Sequence, residues 1–369
     1  MKTGYRKIEL DAPNLGKREK NYLTKAIETN FISTFGPFIQ EFEEKFAAYV
    51  NAKKAVSTQS GTSAIHIALH ELGIKNGDEV IAPALTFVAT VNPVMYVGAM
   101  PVFVDVDPAT WNMNPEDVEG KITEKTKAII PVHLYGSPCN MDAIVRIARK
   151  HNIYIIEDAT ESLGATYRGM YTGTIGDFGV FSFNGNKAIT TGGGGMVVGN
   201  DEKRMEHIRF LVNQARDETK GYYHSEIGFN YRMTNIEAAL GLAQLEKLNA
   251  FLAKKDLFRR IYTEELSCVD CITFQKKYDF AKSSYWMNCI IINENLDIET
   301  FRKKLKEKGI PTRRIFMPII EFPPYQSFKN GNYENSYRIY EKGLCLPSST
   351  LNSEDDVRYI SQKIKEVLQ

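Results

Sequence analysis

Cysteine is scarce in this chain and long apolar runs are missing, and each shortage removes a class of protein from consideration. The five cysteines among 369 residues, Cys139, Cys268, Cys271, Cys289 and Cys345, are too scattered for a disulfide scaffold and odd in number, so a reducing cytoplasm is the expected compartment. The most membrane-like stretch, Phe87 to Val104, is interrupted by Asn92, Pro93 and Pro101. It reads as a buried helix followed by a strand, and no membrane span is expected. The N-terminal segment Met1 to Lys20 has no apolar stretch of the secretory kind and runs into a helix-like pattern, so no export is expected. Charge of either sign is not in surplus, since 46 Lys+Arg against 45 Asp+Glu leave +1. A strongly basic surface of the kind that nucleic acids or acidic membranes attract is therefore not expected. Internal repeats, low-complexity tracts and charged tails are missing as well.

Several nucleotide and metal motifs fail on inspection. The glycine run Gly192 to Gly195 does not satisfy G-x-G-x-x-G, and no G-x-x-x-x-G-K-[ST] occurs. His66 and His70 have the zinc-protease spacing, but position 67 is Ile where that motif needs Glu, and no third ligand is evident. Cys268 and Cys271 stand alone, without a second pair to complete a tetrahedral site. No metal is expected.

What remains is an α/β pattern with 43% hydrophobic residues, enough for a large core. The runs Glu79 to Ile81, Pro101 to Val104, Ala128 to Val132 and Ile153 to Ile156 lack polar alternation, as strands covered on both faces do. Helical patterns alternate with them, one starting near Gly61 and one over Met141 to His151, so a mostly parallel central sheet is expected. Further helical patterns run over Asp201 to Asp217 and, as one long connector, Asn235 to Ser267. A strand over Tyr285 to Ile292, a helix over Ile298 to Lys308 ending at Gly309, and a closing helix over Glu354 to Leu368 complete the reading. This divides the chain into a large α/β domain over 1–250, with an N-terminal arm, and a small α+β domain over 251–369.

Three segments carry chemistry. Lys187 follows the apolar run Phe178 to Phe183 and precedes four glycines that permit close backbone approach. An amine held there out of water can form a Schiff base with a carbonyl, the chemistry that holds pyridoxal 5′-phosphate (PLP). The alternative is a solvated lysine in a loop. Asp158 ends the apolar run Ile155 to Ile156, and ligands of parallel α/β sheets sit beyond the carboxyl ends of strands, where a carboxylate can pair with a protonated pyridine nitrogen. The alternative is a cap of the next helix. Ser57 to Ala64 is a strand-to-helix junction whose first N–H groups suit a phosphate, with Gly61 allowing approach and Thr62, Ser63 and Ser182 as hydroxyl donors. The alternative is an ordinary helix cap.

Ser60 to Thr62, Thr86-Phe87, Glu157 to Ala159 and Ser182 to Lys187 together resemble the DegT/DnrJ/EryC1/StrS sugar aminotransferases. The likeness extends to Pro131 to Gly136, Gly228 to Met233 and Leu344 to Pro347. It implies a fold-type-I PLP-dependent transferase, active as a homodimer with sites at the subunit interface. By resemblance, Lys187 carries the cofactor and shuttles the proton, Asp158 holds the pyridinium, Phe87 stacks on the ring and Glu161 lies near the phenolic oxygen. Gly61, Thr62 and Ser182 bind the phosphate, and Asn230 reaches it from the second subunit. Two departures stand out: many relatives have Gly-Glu-Gly-Gly over 192–195 and Gln at 161. Sugar-dehydrating relatives carry His where this chain has Lys187.

Within the family, Phe183 to Lys187, Ile189 to Gly195 and Asn213 to Asn235 are similar to the branch acting on UDP-linked 4-keto-6-deoxy-N-acetylhexosamines in bacillosamine and legionaminic acid formation. The implied reaction moves nitrogen from L-glutamate to C4 of the keto sugar, leaving 2-oxoglutarate. A GDP-4-keto-6-deoxymannose 4-aminotransferase of the perosamine synthase type is the alternative. A sugar dehydratase, a synthase of an amino-aromatic ring and a non-catalytic PLP-binding protein rank behind both. Arg232, Arg313 and Arg314 have the chemistry to meet a diphosphate bidentately but equally suit a solvated face, and His224 is as open.

Overall fold

A computed structural model describes residues 6–294 and 296–369, so Met1 to Tyr5 of the expected N-terminal arm and Asn295 lie outside the described residues. Seven strands form the central sheet: β1 (Lys54–Thr58), β2 (Glu79–Pro83), β3 (Met100–Val104), β4 (Thr126–Ile129), β5 (Tyr154–Asp158), β6 (Phe178–Ser182) and β7 (Gly195–Gly199). Their spatial order is β1-β7-β6-β5-β4-β2-β3, parallel throughout except that β7 runs against both neighbours. The exception follows from the connections. Parallel strands need a crossover, whereas β6 returns directly as β7 through the loop that carries Lys187.

Successive residues of each strand enter opposite cores, which is why the runs do not alternate with polar residues. Val56, Val180 and Val197 face the helices α3 (Gly61–Glu71) and α5 (Glu202–Val212), while Ala55, Phe181 and Val198 face α2 (Pro37–Val50) and α6 (Asn235–Leu245). On the other half of the sheet Ile81, Ile129 and Ile155 pack against Ile144 and Ile147 of α4 (Met141–His151). Helix α1 (Lys17–Glu28) lies against α6.

The C-terminal part is an antiparallel sheet of β8 (Ile272–Phe274), β9 (Asn288–Ile292), β10 (Arg313–Arg314) and β11 (Gly343–Leu346), in the order β8-β9-β11-β10. One face packs on α7 (Leu248–Leu266), α8 (Ile298–Glu307) and α9 (Glu354–Leu368) through Phe258, Phe301, Ile360 and Ile364. The other buries Cys289, Ile291 and Cys345 against Tyr135 and Trp286, and so joins the small sheet to the carboxyl edge of the large one.

Three expected elements have different bounds. The helix after Asn200 stops at Val212, because Gln214 and Ala215 adopt positive φ (62° and 52°), and Arg216–Asp217 instead pairs with Tyr223–His224. The connector from Asn235 is two helices. It breaks at Glu246 and Lys247, whose side chains are tied to α1: Glu246 to Arg18 and Tyr22, Lys247 to Glu19 at 2.8 Å. The strand expected from Tyr285 begins at Asn288, since Tyr285 has φ +46°. Residue 250 falls inside α7, which gives Leu248 and Phe251 to one core and Phe258 and Tyr262 to another. All five cysteines are free thiols. Among the described residues no helix is long and apolar enough to cross a membrane.

Candidate active site

Strand β5 ends in two acids with different tasks. Glu157 is fully buried and accepts N–H bonds from Gly173, Ile175 and Gly176 at 2.9, 2.6 and 2.7 Å. It also meets His133, whose Nδ1 accepts the Cys139 N–H at 3.0 Å. The imidazole proton therefore sits on Nε2 and is donated to Glu157 at 2.9 Å. Since the His133 N–H also bonds Asp158 O at 3.1 Å, the pair pins the strand end that presents Asp158.

Asp158 is 3% exposed. Its Oδ2 accepts from Thr90 Oγ1 at 2.7 Å and its Oδ1 from Thr160 N at 3.1 Å. Both partners are neutral, and the carboxylate forms no ion pair among the described residues. No helix follows it, only a turn, so the helix-cap alternative falls away. A buried carboxylate lacking a counter-ion is what a protonated ring nitrogen would complete.

Lys187 faces the same space. Its side chain is 13% exposed, with Nζ 3.7 Å from Glu161 Oε1 and 4.2 Å from the centre of the Trp286 ring. This is not a solvated loop lysine. Glu161 is itself buried and accepts the Tyr135 N–H at 2.8 Å. Burial lifts its carboxyl to about 7, against the opposing pull of Lys187. This acid is thus both paired with Lys187 and able to hold a proton at neutral pH.

The start of α3 completes the site. Ser60 Oγ accepts the Ser63 N–H at 3.0 Å, and Ser63 Oγ accepts the Ser60 N–H at 3.0 Å, so these two residues do the capping. The first-turn N–H groups of Gly61 and Thr62 are left for an anion. A Cβ on Gly61 would stand 3.0 Å from Ser182 Cβ and 3.1 Å from Thr160 Cγ2, so the glycine keeps the cradle open. What brings this junction to the Lys187 loop is the β1/β7 pairing, in which Thr58 lies opposite Gly195 and the Gly194 N–H bonds Gln59 O at 2.8 Å.

One cavity of about 360 Å³ is lined by Gly61, Thr62, Phe87, Asp158, Glu161, Ser182 and Lys187. Phe87 is half exposed, with its ring 5.5 Å from Phe316, so it is not a core residue. Asn230 is exposed and lies outside this cavity. Trp286, Arg313 and Phe316 also line it, and sequence reasoning left them out of the site. Arg314 instead bonds Glu299 and Tyr340 O, Arg232 bonds Asn213 Oδ1, and His224 is exposed with Nδ1 at 2.8 Å from Gln214 O. A wider groove of about 640 Å³ beside α2 is lined by Lys54, Glu43, Glu206 and Arg209. Of these, Arg209 pairs with Glu43 and Lys54 with Glu206, and neither Lys187 nor Asp158 lines the groove.

A buried amine, a carboxylate without a counter-ion and a helix start in one cavity, on a mostly parallel sheet, define a fold-type-I PLP-dependent transferase. The chain belongs to the DegT/DnrJ/EryC1/StrS aminotransferase family, whose sequence model covers residues 13–365. It is 43% identical over 359 residues to GDP-perosamine synthase of Escherichia coli O157:H7, covering 97% of this chain and 98% of that one. It is 41% identical over 365 residues to GDP-perosamine synthase of Caulobacter vibrioides, covering 98% of each. Among solved structures, Spr1654 of Streptococcus pneumoniae in its PLP form superposes with a TM-score of 0.93 at 28% identity, covering 98% of each chain. The protein is a PLP-dependent sugar aminotransferase.

Proposed function

We propose that this enzyme moves the amino group of L-glutamate to C4 of GDP-4-keto-6-deoxymannose, giving a GDP-4-amino sugar and 2-oxoglutarate. The observation that carries the transamination is the Lys187 amine sharing one cavity with Asp158 and the start of α3. The nucleotide follows the relatives named GDP-perosamine synthase, at 43% and 41% identity over nearly the whole chain. They support the GDP-linked alternative over the UDP-linked N-acetyl sugar of the bacillosamine and legionaminic acid type that the sequence motifs suggested.

PLP, when bound, supplies an aldehyde that captures amines and a ring that accepts an electron pair. Lys187 would hold it, Asp158 would keep its ring nitrogen protonated, and Gly61, Thr62 and Ser182 would take its phosphate. Phe87 would cover one ring face, and Glu161 would sit by the phenolic oxygen. Once free, Lys187 Nζ removes the proton from Cα of glutamate and, in the second half-reaction, delivers a proton to C4 of the sugar. Thr90 fixes the Asp158 carboxylate while this happens.

A homodimer with shared sites belongs to the same reading. Asn230 lies outside the cavity of its own chain, and its loop exposes Tyr222 and Ile227 at 86% and 82%, an apolar surface suited to a second copy. A cytoplasmic location is in keeping with nucleotide-linked substrates and five free thiols.

The test converts the PLP-loaded enzyme to its pyridoxamine form with glutamate, removes the donor, and adds GDP-, UDP- or dTDP-linked 4-keto-6-deoxy sugars. Only the GDP sugar is expected to restore the PLP absorbance at a rate compatible with turnover. Restoration by the UDP-linked N-acetyl sugar and not by the GDP sugar would return the specificity to the UDP reading.

A further inference from the structure

Two residues that line the cavity, Arg313 and Asn186, are bonded by a carboxylate of the chain itself, Asp11. Asp11 lies on an N-terminal segment fastened to the C-terminal part on both sides of it. Ser348 and Ser349 N–H groups donate to Leu10 O at 2.6 and 2.9 Å, Glu9 N–H donates to Asn352 Oδ1 at 2.9 Å, and Ser349 Oγ donates to Ala12 O at 2.7 Å. Held there, the Asp11 carboxylate pairs with the guanidinium of Arg313. Its Oδ2 also accepts from Asn186 Nδ2 at 3.2 Å, and Asn186 immediately precedes Lys187. The pair is not sealed from solvent, with side-chain exposures of 34% for Arg313 and 14% for Asp11. A solute anion can therefore compete for it.

Charge balance says which anion-binding group the cavity has to offer. Its lining carries the acids Asp158 and Glu161, and its cations are Lys187 and Arg313. Lys187 has to work at the reacting carbon, so Arg313 is left to neutralise an incoming anion. The contact to Asp11 uses one guanidinium nitrogen and one oxygen, whereas a free carboxylate can engage the fork through both oxygens.

We propose that Arg313 anchors a carboxylate of the amino donor and that Asp11 is a resident carboxylate which the donor displaces, an inference that rests on the proposed reading of an amino-acid donor. Displacement exchanges one ion pair for another, and it releases the Asn186 side chain beside Lys187 at the moment the donor arrives. Donor binding is thereby coupled to freeing the loop that carries the amine. The same fork also suits a phosphate oxygen of the sugar nucleotide, so the experiment has to separate the two sources of anionic oxygen.

The probes are glutarate, a dicarboxylate with no amine to react, and GDP, each titrated into PLP-loaded enzyme. The readout is tryptophan fluorescence. One of the chain's two tryptophans, Trp286, stands over Lys187 and donates its Nε1–H to Asn186 O at 2.7 Å. Because the competing pair is partly exposed, Asp11→Asn is expected to bind glutarate about two- to fivefold more tightly. Arg313→Gln is expected to bind it at least about tenfold more weakly. GDP affinity should change less than about twofold in either, and KM for glutamate should follow glutarate affinity. Unchanged or weaker glutarate binding by Asp11→Asn overturns the proposal, and so does an Arg313→Gln defect confined to GDP. Should Arg313→Gln fail to fold, the gain predicted for Asp11→Asn still decides, because a merely structural role would give a loss. Failure of the donor reading itself is distinguishable: glutamate would then leave the PLP spectrum of the wild-type enzyme unchanged.

Discussion

Glu161 sits in an environment far from the one its type prefers, and pH exposes that. Its carboxyl stands at about 7 in the folded chain against 4.5 for the free group, chiefly through burial. The folded state then binds a proton that the unfolded state has released, so stability falls as pH rises from about 4.5 to about 7 and stays lower above it. Glu161→Gln removes this dependence. In cofactor-free protein the variant is expected to match the wild type near pH 4.5 and to exceed it by about 1–3 kcal/mol at pH 8. Denaturant titrations at four pH values check this, and a difference that does not grow with pH refutes it. At this scale Lys187 and Asp158 were legible because one follows and the other ends an apolar strand, each with a charge that needs a reason. Trp286 was not, since an aromatic pair, Tyr285-Trp286, has no local signature that separates a cavity wall from core. Arg313 and Arg314 show the same limit. They are adjacent in sequence, but the period of two in β10 sends the first to the cavity and the second to Glu299 and Tyr340 O.

Between elements, the decisive contact is β1 against β7. It sets the start of α3, the proposed phosphate cradle, beside the Lys187 loop, and it tolerates no side chain where the two cross. A Cβ on Gly195 would overlap Ser60 O, and both backbones are held by the Thr58 to Gly195 register. Gly195→Ala is expected to destabilise the fold by at least about 2 kcal/mol and to weaken PLP binding together with it. Urea unfolding and equilibrium dialysis of PLP measure the two effects, and an unaltered variant would show that the crossing is looser than this geometry. The start of α3 and the bounds of α4 and α9 were readable from local pattern and periodicity. The break at Glu246 and Lys247 was not, because its cause is a set of bonds to α1, more than two hundred residues away in sequence.

At the level of the proposed homodimer, Asn230 is expected to serve the site of the second subunit, since it lies outside the cavity of its own chain. Mixing Lys187→Ala and Asn230→Ala subunits distinguishes the possibilities, provided each variant alone is nearly inactive. If Asn230 acts across a dimer interface, every mixed dimer has one intact site and one doubly altered site. A randomised equal mixture should then recover about a quarter of wild-type activity. If it acts within its own chain, mixing restores nothing.

From the amino-acid order alone came the family, the α/β architecture and the choice of Lys187 and Asp158 as candidates for the reacting amine and its opposing acid. All of these are encoded locally, in strand-ending charges, small-residue junctions and helix caps. The folded chain added an Asp158 without a counter-ion among the described residues, the Glu161–Lys187 contact, the aromatic wall of Trp286 and Phe316, and the pairing of Asp11 with the cavity-lining Arg313. Each of these joins segments far apart in sequence. Their meeting depends on strand order and on the docking of the small sheet against the large one, and no local pattern of residues records either.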